Sequence, residues 1–267
     1  VIEALLPPSY IRDNYLRGLP MEGPDGSPLP DSLIASRTRA VARWFERKYG
    51  IRLGLVNVKV GQYPLEGEPP PDETYPGVDF HPDGNLEHRF HILRLPVGPV
   101  KRIHAFGLWL PGMSRPALFP LDWAHVNPRS HTVRVYPGKG LTFAVPMLAG
   151  IMANLVSLGR PVPHAWHFSY EAGYTLEDLQ GQDYDVVDAL AKLVAVEVLV
   201  TGSIDQDLRE GVSSRSVSVD GLSQSVQLLQ NPNALKYQPL INQYLQDVKE
   251  WEKTFWARQK GVRLGVV

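Results

Sequence analysis

Cysteine is absent from the 267-residue sequence. Its absence excludes disulfides, thiolate metal sites and cysteine nucleophiles together. Neither sign of charge is in excess, with 27 Lys and Arg against 28 Asp and Glu. A protein that wraps nucleic acid with its whole surface carries a basic surplus, so that class is disfavoured, while a local basic patch is compatible with the balance. No apolar run approaches the ~18 residues of a membrane span. The richest, at 186–200, is broken by Asp188, Lys192 and Glu197. Residues 1–8 lack the basic flank and apolar stretch of a signal peptide. The expectation is a soluble chain made in a cytoplasm, with no membrane partner. No serine sits in a G-x-S-x-G elbow, and no P-loop or G-x-G-x-x-G precedes a helical pattern; Gly138-Lys139-Gly140 reads as a turn between strands.

Proline and glycine are plentiful. Pro7, Pro8, Pro20, Pro24, Pro28 and Pro30, with Gly18, Gly23 and Gly26, predict an extended or turn-like arm over residues 1–30. Asp31-Ser32 then offers an N-cap, and Leu33, Ala40, Val41, Trp44 and Phe45 recur at helical spacing among Arg37, Arg39, Arg43 and Arg47. This predicts a helix over 31–49, stopped by Gly50. From residue 51 the hydrophobic period falls to two, and strand patterns follow at 51–60, 88–95, 101–110, 131–136, 141–145 and 165–170, with a proline-rich loop over 63–77. Apolar positions on more than one side predict a buried helix over 183–201, ended by Gly202. Tyr237, Leu240, Ile241, Tyr244, Leu245, Val248, Trp251, Phe255 and Trp256 predict a last helix over 234–260, its regular part starting at Pro239.

The best metal candidate is His81-Pro82-Asp83, with the H-x-D spacing of a facial-triad iron site and His125 or His131 as a third ligand. Against it, Asp83-Gly84 is a turn signal, and His88 and His91 fall in a strand pattern. His164 and His167 flank Trp166 in another strand and so point to opposite faces. The sequence therefore predicts no metal, no cofactor and no catalytic residue.

The most distinctive segment is 211–226, G-V-S-S-R-S-V-S-V-D-G-L-S-Q-S-V, in which valine and serine alternate around Asp220-Gly221. Asp-Gly is a strong two-residue hairpin signal. An isolated hairpin is marginal in water, so this one needs a surface to pack on, and a neighbouring subunit supplies one. The wide aromatic stripe of Trp251, Phe255 and Trp256 has the composition of an interface core, although an intramolecular core face reads the same way.

The 211–226 run resembles virion structural proteins of tailed bacteriophages. So does Trp166-His167-Phe168-Ser169-Tyr170-Glu171-Ala172-Gly173 followed by a buried helix. The Arg94-Leu95-Pro96-Val97 strand and the 31–49 helix occur in the same order, and the likeness covers most of the chain. The helix pairing looks like that of head-to-tail connector, or neck adaptor, proteins. That resemblance implies a homo-oligomeric ring, often dodecameric, docked under the portal protein. Its other face would meet the tail or a further neck protein, and DNA would pass through its lumen without sequence-specific binding. It also implies that the C-terminal segment, where Val262, Leu264 and Val266 alternate with Arg263 and Gly265, docks into the portal. The large β region at 51–180 departs from small adaptors.

The expected fold class is α+β: a helical ring-forming core with a large inserted β-rich module. The expected organisation is an arm and first helix at 1–50, the β-rich module at 51–180, and helices with the serine hairpin and docking tail at 181–267. Trp251, Phe255, Trp256, Asp220, Gly221, Val262, Leu264 and Val266 are the expected assembly residues, and the virion neck is the expected location. The alternatives are a tail-completion or carbohydrate-facing binding protein, and a non-haem metalloenzyme using His81 and Asp83.

Overall fold

The computed structural model describes residues 2–17, 19, 27–80, 91–109, 113–128, 130–135, 162–209, 217–219, 222–224 and 237–259. They form an α+β fold. The chain divides into two compact units, one of Val1–Lys48 with Leu176–Thr254, the other of Tyr49–Thr175 with Phe255–Val267.

The first unit is helical. The proline-rich arm, expected to be extended, opens with two short helices, α1 (Ile2–Leu5) and α2 (Pro8–Asn14). Proline at the start of α2 presets φ for a first turn, where its missing N–H costs nothing. Ile11, Tyr15 and Leu16 then bury one side. Helix α3 (Asp31–Tyr49) begins one residue earlier than a cap at Asp31 would place it, because the Pro30 carbonyl accepts from the Leu33 and Ile34 amides. Its buried stripe is Ile34, Thr38, Val41, Ala42 and Phe45. Gly50 follows at φ 66°, the left-handed residue that stops many helices. A short α4 (Leu176–Gln180) leads into α5 (Tyr184–Arg209). Between 186 and 200 every residue of α5 is buried except the half-buried Asp188, Lys192 and Glu197. Gly202 does not end α5: one interior glycine costs only about 1 kcal/mol against alanine, too little to break so long a helix. Helix α6 (Gln238–Gln259) carries Pro239 in its first turn and buries Ile241, Tyr244 and Val248.

The second unit is mostly β. Its main sheet holds β1 (Val56–Val60), β2 (Glu73–Tyr75), β3 (Val78–Phe80), β5 (Val100–Leu108), β6 (Ala117–Leu118) and β9 (Val162–Ala172), in the order β2-β1-β9-β5-β6. β9 is central. β5 runs antiparallel along one edge, while β1 and then β3 share the other, pairing at Val60↔Phe168 and Val78↔Trp166. The expected loop over 63–77 therefore contains β2, a three-residue strand too short to show a period. β1 starts only at Val56; Ile51 makes a single bridge to Gly98. A second sheet, β4 (His91–Arg94), β8 (Thr132–Val135) and β7 (Ala124–Val126), has the order β4-β8-β7. Both sheets bury one core, with Leu93 and Val133 from the second meeting Val58, Phe106, Trp166 and Phe168 from the first. The Phe106 and Phe168 rings stack at 5.6 Å. The expected strand at 141–145 and the turn at 138–140 lie outside the described residues.

β10 (Val217–Val219) and β11 (Leu222–Gln224) pair antiparallel, Val217↔Gln224, Ser218↔Ser223 and Val219↔Leu222. That register leaves two residues, Asp220 and Gly221, for the connection; they lie outside the described residues. Among the described residues, no helix is long and apolar enough to cross a membrane.

Candidate functional site

The expected assembly residues of α6 are engaged within the chain. Trp251 stacks on Phe45 with centroids 5.3 Å apart and donates from Nε1 to Asp185 Oδ2 at 3.1 Å. It stays half-buried. In the other unit, Phe255 is 1% exposed and meets Tyr49 edge-on at 5.3 Å. The half-buried Trp256 lies against Tyr49 and Phe255, with the Arg94 guanidinium over its ring at 5.7 Å. Phe255 has no surface to give a partner; Trp251 and Trp256 keep an outer edge. Val262, Leu264 and Val266 lie outside the described residues.

A polar seam runs beside Trp251. Asp185, Asp188 and Lys192 recur on α5 at i, i+3 and i+7, and Tyr244, Asp247 and Trp251 recur on α6 at the same spacing, so each set lies on one side of its helix. Lys192 Nζ bridges Asp188 at 2.9 Å and Asp247 at 2.8 Å. Asp185 meets Trp251 and Lys192 meets Asp247, which sets α5 and α6 antiparallel. Burial works to lower the Lys192 pKa, but the bonds from Asp247 and Asp188 outweigh it, and the ammonium titrates above its ordinary value. Tyr15 donates to Asp188 at 2.8 Å, and its own carbonyl accepts from the Tyr244 hydroxyl at 2.7 Å. Burial, and then the bond to Asp188, raise the Tyr15 pKa. These bonds hold α5 and α6 in one register.

Only part of the candidate histidine group falls among the described residues. His81, Asp83 and His88 lie outside the described residues, and His91 is in β4. His125, in β7, is exposed. His131 is 2% exposed, its ring packed over Gly98, and burial, with Arg94 adding to it, pushes its pKa down to about 4. Among the described residues, no three His, Asp or Glu side chains gather where they could hold a metal ion.

Sequence reasoning missed a cluster at the gap where β1 leaves β9 and β3 takes over. The His167 ring lies where a Cβ on Gly61 would stand, and Gly61 sits at φ 102°, so glycine is required there twice over. Tyr63 packs on His167 at 5.5 Å and stacks on Trp109 at 5.3 Å. Trp109 is fixed by its Nε1 bond to the Met113 carbonyl. Burial lowers the His167 pKa, and its Nδ1 has no hydrogen-bond partner. Nearby on the chain, His164 is exposed, with φ 54°, and its Nδ1 lies 2.9 Å from the Gly77 carbonyl oxygen. Lys59 and Glu68 form a nearly buried pair at 2.6 Å. Tyr63, Trp109 and His167 are far apart in sequence, and only the glycine next to a strand end hinted at a close approach. The cluster joins an imidazole to two aromatic faces at the strand junction, and Gly61 gives the ring the room it occupies.

No protein-family model and no curated protein sequence matches the chain.

Proposed function

We propose that the chain is a virion structural protein, a ring subunit of a bacteriophage head-to-tail connector that joins the portal to the tail and lets DNA through its lumen. Its role on this reading is mechanical. The observation that carries it is the β10–β11 hairpin. Three residues per strand, set between the two long helices α5 and α6, form a two-stranded sheet that pairs with no other strand among the described residues. A sheet that small does not stand alone in water. A second copy of the chain supplies the missing surface, and a ring repeats that contact until it closes. The helical unit supports this reading, because its acid–lysine seam fixes helix register and gives a rigid base for such a contact.

The test is the solution mass of the full chain, by light scattering across a concentration series, with particles imaged by negative-stain electron microscopy. A ring of many copies is the expected result. A monomer or dimer at every concentration, including with portal rings present, overturns the reading. Gly221→Val places a side chain in the tight turn that Asp-Gly predicts, and should lower ring mass while leaving the melting temperature of the subunit nearly unchanged. One tightly bound iron or zinc per chain, lost in His81→Ala, would replace the connector with a metalloenzyme.

A further inference from the structure

We propose that the solvent face of α3 is a contact for the phosphate backbone of double-stranded DNA, made by Arg39, Arg43 and Arg47. The choice of partner rests on the connector reading above; the placement of charge does not.

The sequence has no net basic surplus, yet α3 concentrates one. It carries Arg37, Arg39, Arg43, Arg47 and Lys48 against Asp31 and Glu46. Its apolar stripe of Ile34, Val41, Ala42 and Phe45 is buried. The opposite side holds Ser32, Ser36, Arg39, Ala40, Arg43 and Arg47, all exposed. Lys48 is occupied at the side, 3.5 Å from Glu252 and over the Trp44 ring. Of the three outer arginines, Arg39 alone has an acidic neighbour among the described residues. Arg39 has only a loose contact with Glu3 at 3.8 Å, with 59% and 70% of the two side chains exposed. Arg47 donates from Nε to the Arg43 carbonyl at 3.3 Å, and among the described residues neither Arg43 nor Arg47 has a carboxylate at ion-pair distance.

Spacing and composition fit that partner. Arginines four residues apart rise about 6 Å per step, so the three span about 12 Å of helix. One DNA strand presents a phosphate every ~3.4 Å of its axis, three or four over that length. Guanidinium forks bind phosphate oxygens in pairs, which point-charge ammonium groups do not. On this side Ala40 lies among the arginines and Ser32 and Ser36 precede them, while the half-buried Glu46 stands at its edge. A protein partner would need an apolar or aromatic anchor at the centre of the patch, and a membrane would need an outward apolar face; α3 has neither outside. The face has no Asn or Gln to read adenine edges, and guanidinium contacts to phosphate carry no sequence information, so the proposed contact is indifferent to sequence. Three forks per subunit give a weak contact that DNA can slide along, in keeping with passage rather than retention.

The experiment uses the full chain and a fluorescent duplex of about 30 base pairs and arbitrary sequence, a length of roughly three helical turns, followed by anisotropy as salt is raised. Each phosphate contact contributes about −0.9 to the slope of log affinity against log salt, so R39Q/R43Q/R47Q should flatten the slope by at least about 2.7. Between about 50 and 200 mM salt the natural chain should then lose roughly 40-fold more affinity than the variant. The substituted side chains face solvent, so an unchanged melting temperature is expected. The charge-conserving variant R39K/R43K/R47K should recover most of the slope. The proposal is overturned by a natural chain that ignores the duplex at low salt, by a triple glutamine variant with the natural slope, or by a preference for polyglutamate over duplex at equal charge. Mass is read on the same samples. A monomer that binds duplex through these arginines keeps the contact and removes the connector; a ring that ignores duplex does the reverse.

Discussion

His131 shows how far one buried residue can set the behaviour of the chain. Its ring is wedged over Gly98, with the Gly50 backbone near its other side, and water reaches almost none of it. Burial, and then the positive charge of Arg94, hold its folded pKa at about 4, against 6.5 for a free imidazole. The neutral form is the one the fold accepts. Above pH 6.5 neither folded nor unfolded chain binds the proton, and the contribution to stability is complete. As pH falls from about 6.5 to about 4 the unfolded chain takes up the proton first, and stability is lost, on the order of 3 kcal/mol in all. Urea denaturation at pH 7 and near pH 4.5 should show the loss, and His131→Gln should remove most of that pH dependence. Equal pH dependence in both proteins would rule His131 out as its source. Little of this was legible in the sequence. His131 read as an optional metal ligand, and His167 as one of two strand histidines, because the glycines that shape their sites lie tens of residues away in the chain. A period reports which face a residue takes; it does not report which backbone meets it there.

Elements were more legible, and the reason is length. The 31–49 helix emerges at Asp31–Tyr49 and the last helix at Gln238–Gln259, since each repeats its apolar spacing over several turns and carries a stop or start signal in glycine or proline. Two- and three-residue strands such as β2 and β6 repeat nothing, and they form only because β1 and β5 present open edges to them. The arm departs from the extended form its prolines predict for a related reason: Pro8 starts a helix, where its missing N–H costs nothing. Between elements, Lys192 is the one cation in the α5–α6 seam among the described residues, which Trp251 and Asp185 also join. Lys192, with its side chain 19% exposed, separates two carboxylates that would otherwise face each other. Lys192→Met should cost about 1 kcal/mol, since it leaves Asp188 and Asp247, both more than a third exposed, without their cation. Asp247→Asn should cost less, because Asp188 still holds the ammonium. Thermal melts of the two variants decide the order; a larger loss in Asp247→Asn would show that the seam is organised around the carboxylate instead.

At the scale of the whole molecule, near-zero net charge and a local arginine face are compatible with the proposed ring that passes DNA. A uniformly basic wall would hold the phosphates and stall transit, while a few forks per subunit guide the duplex and release it as it moves. Such a ring also needs a joint to its neighbour that does not disturb its own closure. Residues 261–267, beyond the described end of α6, have the composition for one. Val262, Leu264 and Val266 alternate with Arg263 and Gly265, and two glycines disfavour helix. A short alternating strip adds to an exposed sheet edge, with backbone bonds giving affinity and alternate side chains giving specificity. On the connector reading that edge belongs to the portal. Removing 261–267 should leave the subunit folded, with its melting temperature and solution mass unchanged, because the proposed ring contact is the β10–β11 hairpin. Co-sedimentation with purified portal rings should fall at least about a hundredfold, ~2.8 kcal/mol of binding. Truncated rings that still pellet with portals at the natural affinity would show that docking uses another surface. A truncated chain that no longer assembles would place the segment inside the ring joint instead.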